Sequence, residues 1–369
     1  MKKKLVGMFA TATLLTMALA GNVQAAEIRS VGPDGEAAVD ASTIELTDDQ
    51  IAQIKEGGYT AAICLHYGGN DWSTSQQKGL EDTFGELGIE IVAVTDANFS
   101  AETQVSNIET VMAKKPDILV SIPTDATATA DAYKQAAAAG IKIVFMDQRA
   151  DGLEAGKDYV SVVSADNYGN GYASGTVLGD ALGGKGKVAM VYYDANFAPT
   201  NQRDEGFRDA MKNYPDIEIV TEQGFTDESG CAEQGDAILT QFPNIDGIYA
   251  SWDVPMEGVL SAVRAAGMEG KVTLACNDLG NNVAREIASG NIAGGGAQMP
   301  YDQGVAEAKL AALALLGEET PSYVAVPAET VTHENVLEAY TDVYHVETPD
   351  WLKAVSYTHL RAHETELHL

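Results

Sequence analysis

The amino-acid sequence predicts an α/β protein of two lobes, each a doubly wound parallel sheet. Three observations predict it. From Tyr59 onward, short apolar runs alternate with amphipathic stretches in the order β-α-β-α. The pattern restarts at Asn167, and three of the runs, "FMDQR", "ASWDV" and "ACNDL", finish in polar or acidic residues. Continuous apolar strands separated by helices belong to a parallel sheet covered on both faces. In such sheets the ligand crevice lies beyond the carboxyl ends of the strands, so these acids converge on one place.

In the first half, "YTAAICLHY" reads as a strand, "TSQQKGLEDTFGELG" as a helix closed by Gly88, and "IEIVAVTD" as a strand. "SAETQVSNIETVMAKK" is a helix that Ser100 caps, because a serine oxygen accepts the unpaired amide hydrogens of a first turn. "DILVSIP" and "IKIVFMD" are strands on either side of the helix "DATATADAYKQAAAAG", which stops at Gly140. In the second half, the strands are "KVAMVYYD", "IEIVTEQG", "DGIYASW", "KVTLACND" and "IAGGGAQMP". Between and around them run the helices "NYGNGYASGTVLGDALGG", "PTNQRDEGFRDAMKNYP", "ESGCAEQGDAILTQFP", "VPMEGVLSAVRAAG", "GNNVAREIASG" and "DQGVAEAKLAALALLG". Residues 26–58 precede this pattern as an N-terminal extension that holds one further helix, "LTDDQIAQIKEGG".

The two ends are read separately. Three lysines in Met1 to Lys4, the apolar "LVGMFATATLLTMALA" and the small residues of "VQAAE" describe a secretory signal peptide over residues 1–25. No cysteine lies near the cleavage site, so a freely diffusing periplasmic or extracellular protein is expected. At the other end, residues 355–369 carry His359, His363 and His368 at near-ligand spacing. The string "VSYTHLRAHET" matches the read-through of a sequencing adapter over eleven residues, so this tail is excluded from the fold.

Composition excludes several functions. Of 23 basic and 54 acidic residues, the leader takes three lysines, which leaves 20 against 54 and a net charge of −34. A phosphate backbone needs clustered Lys and Arg, so no nucleic-acid partner is expected, and a charge of this size favours a soluble monomer. Cys64, Cys231 and Cys276 are too few and too scattered for a disulfide framework. The hydrolase elbow, the zinc-protease helix and the phosphate-binding loop motifs are absent. "GGGAQ" and "GGKGK" are rich in glycine, but neither follows a strand and opens a helix as a dinucleotide site requires.

Seven segments carry a resemblance: "SIPTDA", "IVFMDQR", "VSADNYGNGYASG", "RDEGF", "SWDVPMEGVLSAVRAAG", "ACNDLG" and "AQMPYDQG". In that order and spacing, from Tyr59 to Tyr344, the chain resembles the ribose-binding type of periplasmic sugar-binding protein that serves ABC importers, the type I periplasmic binding protein family. The resemblance implies two lobes joined by a three-segment hinge, with crossings near Ser164 to Asp166, near Gln298 and near Val326. Lobe 1 is then 59–164 with 299–326, and lobe 2 is 165–298 with 327–354. It further implies a sugar ligand, a membrane permease as partner and no cofactor or enzymatic activity.

Sugar chemistry agrees with the residues available. Carboxylates and guanidinium groups bond hydroxyls strongly, and aromatic planes cover the weakly apolar ring faces. The resemblance assigns ligand contact to Asp147, Asp278, Arg203 and the hinge Gln298, to Asn70 and Trp72 of the first loop, and to Phe225. Asp166 falls at the first crossing, and Arg149, Trp252 and Asp253 stand beside matched positions. Ile122 and Trp252 replace two asparagines, and Arg149 is displaced by one through Gln148. These departures point from ribose towards another pentose, a hexose or a polyol. A receptor that feeds chemotaxis or a sensor kinase would share the fold and differ only in its partner. His66 is expected to pack at a strand end, and His333 and His345 to lie at the surface.

Overall fold

The computed structural model describes residues 27–356. The predicted leader lies outside the described residues, as do residues 357–369 of the tail. The chain begins with β1 (Val39–Asp40), α1 (Asp48–Gly57), β2 (Thr60–Leu65), α2 (Asp71–Leu87), β3 (Glu90–Asp96), α3 (Ala101–Ala113), β4 (Ile118–Ser121), α4 (Ala130–Ala138), β5 (Lys142–Met146) and β6 (Ser161–Ala165). It continues with α5 (Asn167–Ala181), β7 (Lys185–Tyr193), α6 (Ala198–Met211), β8 (Asp216–Phe225), α7 (Cys231–Gln241), β9 (Gly247–Ala250), α8 (Asp253–Ala265), β10 (Thr273–Cys276), α9 (Asn281–Ala288) and β11 (Gly294–Ala297). α10 (Pro300–Leu315) and β12 (Tyr323–Val326) precede β13 (Glu329–Thr332) and α11 (Val336–Tyr344).

Two sheets result. The first runs β1-β12-β6-β5-β4-β2-β3 with every pair parallel, and the second runs β13-β11-β10-β9-β7-β8 with only the β13 edge antiparallel. The two-lobed doubly wound α/β class read from the sequence is therefore the one observed. The chain passes between the sheets after β6, after β11 and after β12.

Local chemistry sets most boundaries. The side chains of Asn70 and Ser100 accept from Ser73 N and Thr103 N and so start α2 and α3, while Gly88 at φ 70° ends α2. α4 starts five residues later than its expected first residue, because the Asp125 carboxylate accepts from Thr127 N and Ala128 N, and that turn competes with a helix. β1, β6, β12 and β13 are strands, and α11 a helix, that the sequence pattern leaves unassigned. β6 and β12 lie inside the first sheet, covered on both faces, so they carry no alternation.

In the second lobe, α5 and α6 touch at backbone distance. A Cβ at Gly171 would collide with the Arg203 carbonyl, and one at Gly206 with the Tyr168 carbonyl. The glycines of "GGGA" form β11, where a Cβ on Gly296 would strike Asn170 of α5. All three cysteines are buried and unpaired.

The N-terminal extension packs on the first lobe. Thr47 and Gln50 form a capping box that starts α1, and Ile44 and Ile54 join the core under α2 and α10. Further upstream, the Asp166 carboxylate accepts from Arg29 N at 3.0 Å, Ser30 N at 2.8 Å and Gly169 N at 3.0 Å. One carboxylate thus caps α5 and holds the extension at a crossing. Asp166→Ala is expected to lower stability by about 1–2 kcal/mol, the usual cost of a lost cap, and to speed tryptic cleavage at Arg29. Unchanged melting and digestion would contradict this role.

Candidate functional site

The carboxyl ends of both sheets face each other across a cleft. Asp147 follows β5 and Asp278 follows β10, and both adopt left-handed backbone, with φ of 55° and 69°. Aspartate tolerates this region better than most side chains, so the strand can turn away while its carboxylate stays at the sheet edge. Arg203 is delivered from α6, whose close contact with α5 leaves it 5% exposed. Gln298 follows β11 at a crossing, and Trp252 follows β9.

The polar groups form one connected system. Arg203 Nη1 donates to Asp278 Oδ2 at 3.1 Å and to Ser251 O at 3.2 Å, and Arg203 Nε donates to Asn167 Oδ1 at 2.9 Å. Gln298 Nε2 donates to Asp278 Oδ1 at 2.8 Å. Ser164 Oγ donates to Asp147 Oδ1 at 2.8 Å. Burial opposes the Arg203 charge, but Asp278 and Asp147 outweigh it and raise its pKa. Burial pushes Asp147 up to about 6 against the opposing pull of Ser164 and Arg203, and drives His66 down to about 3, so this imidazole is neutral. Among the described residues, no group of three or more His, Cys, Asp or Glu could hold a metal ion.

Of the residues expected to touch ligand, Asn70, Trp72, Asp147, Arg203, Trp252, Asp278 and Gln298 line this cleft. Asn70 is largely committed elsewhere: its Oδ1 accepts from Ser73 N at 2.8 Å and its Nδ2 donates to Tyr67 Oη at 2.5 Å. Four expected residues do not line the cleft. Arg149 pairs with Asp34 at 2.7 Å and donates to Leu153 O, because the shift by one residue turns it towards the N-terminal extension. Asp166 is filled by the three amide hydrogens described above. Phe225 lies behind the wall, with its ring 5.0 Å from that of Trp252. Asp253 accepts from Val254 N at 2.8 Å and Gly280 N at 2.9 Å, tying the start of α8 to that of α9. Burial, then the nearby Asp278 charge, raises its pKa well above the carboxylate range.

Sequence reasoning missed most of the aromatic wall. Tyr67, Phe99, Tyr193 and Phe197 line the cleft, and His66 lines it rather than only packing at a strand end. His66 stacks on Phe197 of the other lobe, with ring centroids 5.9 Å apart. The signal was present: each lies at or within four residues of the carboxyl end of a strand, in "CLHY", "DANF" and "YYDANF". Outside the cleft the lobes also meet directly. Asp71 at the start of α2 accepts from Asn281 N and Asn281 Nδ2 of α9, both at 2.7 Å.

The raised carboxyl of Asp147 has a consequence for stability. Its folded pKa of about 6 exceeds the ordinary 3.8, so the folded chain holds a proton that the unfolded chain releases, and the stabilisation present below pH 3.8 is lost as pH rises through 6. Asp147→Asn, which keeps an acceptor for Ser164, removes this loss. Its melting temperature relative to wild type is therefore expected to climb between pH 4 and pH 7 without ligand, and a constant difference would refute the assignment.

Residues 61–319 match the family model described as a periplasmic binding protein domain. The chain is 29% identical over 273 residues to the D-ribose/D-allose-binding protein of Pseudomonas aeruginosa, covering 71% of this chain and 83% of that one. It is 24% identical over 272 residues to the ribose import binding protein of Salmonella typhimurium, covering 74% and 90%. Among solved structures, an ABC transporter periplasmic solute binding protein from Actinobacillus succinogenes with bound D-allose superposes with a TM-score of 0.70 at 29% identity, over 75% of this chain and 99% of that one. A solute binding protein from Agrobacterium vitis bound to α-D-tagatopyranose superposes with a TM-score of 0.72 at 25% identity, over 79% and 100%. With the family model covering well over half of its length, and the sheets and cleft as described, this chain belongs to the periplasmic binding protein domain family.

Proposed function

We propose that this protein is the extracytoplasmic receptor of an ABC importer, which captures a sugar or polyol between its lobes and presents the closed form to a membrane permease. The carrying observation is a set of buried polar atoms on the cleft wall that have no partner within the protein: Trp72 Nε1, Gln298 Oε1 and His66 Nδ1. Leaving such groups unpaired costs roughly 1–3 kcal/mol each, a cost that ligand hydroxyls remove on binding. The relatives named above are described by the sugars they bind, which supports the same ligand class here.

Closure follows from the same geometry. Asp147 and Trp72 come from the first lobe, Arg203, Asp278 and Trp252 from the second, so a sugar bonded to both walls favours the closed arrangement by its difference in affinity for the two. The Asp71 contact with Asn281 adds a direct protein link between the two lobes in the arrangement observed.

A thermal-shift screen of pentoses, hexoses and polyols on the purified chain tests the reading. At least one is expected to raise the melting temperature, and mass spectrometry should recover it unchanged. Trp72→Ala should weaken that ligand about tenfold or more, the loss of one stacked ring and one hydrogen bond. A screen in which no sugar or polyol shifts the melting point would end this proposal.

Asp71→Ala separates closure from contact, since Asp71 lies outside the cleft wall. The ligand found in the screen should bind roughly tenfold more weakly, as for a lost hydrogen bond to a charged group, and X-ray scattering should show a larger radius of gyration without ligand. Unaltered affinity and scattering would show that the contact does not govern closure.

A further inference from the structure

We propose, building on the sugar-binding reading, that the preferred ligand is a sugar bearing a flat unsaturated substituent, such as an aryl glycoside or a nucleoside, rather than a free monosaccharide. The cleft is chemically divided. Its candidate hydroxyl-binding groups form a compact and largely buried set: Arg203 and Gln298 donate to Asp278 at 3.1 and 2.8 Å, and Asp147 accepts from Ser164 at 2.8 Å. With apolar Ile122 and Trp252 also in the wall, this set suits a single small ring.

The apolar surface exceeds what such a ring needs. Two aromatic planes cover both faces of one sugar ring. Here Tyr67 and Phe99 stack with centroids 4.1 Å apart on one lobe, while Tyr193 meets Trp252 edge-on at 5.6 Å on the other. Phe99 is 44% exposed, which places its ring at the mouth, while Tyr67 beneath it reaches towards the charged groups of the floor. Phe99, Tyr193 and Trp252 also line an adjoining recess that continues outward to Asn98, Thr226, Asp227 and Glu228. Trp252 Nε1 donates to Glu228 Oε1 at 2.8 Å, which fixes the indole plane on this path. A substituent leaving the sugar in this direction passes between Phe99 and the Tyr193 and Trp252 rings and ends against an acidic rim. That rim repels phosphate and accepts N–H groups, so nucleotides and sugar phosphates are disfavoured.

The test is isothermal calorimetry on the full chain with matched sets: free pentoses and hexoses, their methyl and phenyl β-glycosides, adenosine, cytidine, adenosine monophosphate and a β-linked disaccharide. A phenyl glycoside or a nucleoside is expected to bind at least tenfold tighter than the corresponding free sugar and methyl glycoside, with the monophosphate weaker than adenosine. Phe99→Ala should reduce that ratio at least fivefold. If the free sugar binds as tightly as its phenyl glycoside or more tightly, or if the disaccharide matches the phenyl glycoside, the substituent inference is overturned while sugar capture stands. If neither free nor substituted sugars bind, both readings fall together.

Discussion

Arg203 keeps its charge in a place largely closed to water, and the rest of the cleft is arranged around that fact. Its side chain is 6% exposed and that of its partner Asp278 is 10% exposed. Desolvating two such ions costs several kcal/mol each, which their attraction offsets only when the remaining donors and acceptors are also bonded. The structure supplies those bonds: Asn167 and Ser251 O accept from the guanidinium, and Gln298 donates to the carboxylate. The contributors come from α5, from the ends of β9 and β10, and from the β11 crossing. A single ion pair therefore makes the second lobe's helix packing, its strand ends and one interlobe connection depend on one another.

The glycines of α5, α6 and β11 belong to the same constraint. Only because Gly171 and Gly206 allow the two helices to meet at backbone distance does α6 place Arg203 at the sheet edge. On the opposite wall, Asp147 has no such cationic partner within hydrogen-bonding distance, and burial leaves its carboxyl easier to protonate than usual. The two walls thus differ in kind: a fixed, neutralised pair on one side and an acceptor in tension with its surroundings on the other. Under the proposed function, a ligand bonded to both walls takes up polar groups that neither lobe satisfies alone.

Much of the architecture was legible because it depends on short-range rules. Alternation of apolar runs and amphipathic stretches located most elements, and Ser100, Gly88 and Gly140 marked helix ends. The elements that escaped are the short strands β1, β6, β12 and β13, whose pairing partners lie far away in sequence or at a sheet edge, and the nine-residue helix α11 near the end of the described chain. For the site, residues at strand ends were found where their side chains point into the cleft. Arg149, Asp166, Phe225 and Asp253 occupy equally plausible positions in the chain, but backbone amides hold Asp166 and Asp253, Asp34 and Leu153 O hold Arg149, and Phe225 packs behind Trp252. The aromatic wall was missed for the opposite reason, since isolated rings after strands look like packing until two lobes bring them face to face.

By itself, the sequence determined the α/β class, the two lobes and the convergence of acids at the carboxyl ends of strands, because periodicity, caps and strand-end chemistry are local properties. Only the tertiary structure decided which of those acids remain available. Asp166 is taken by the N-terminal extension 137 residues upstream, and Asp253 by the amide of Gly280. Hydrogen bonds between segments distant in sequence have no signature in either segment alone. The same holds for the aromatic wall, whose rings come from both lobes and meet only in the folded protein.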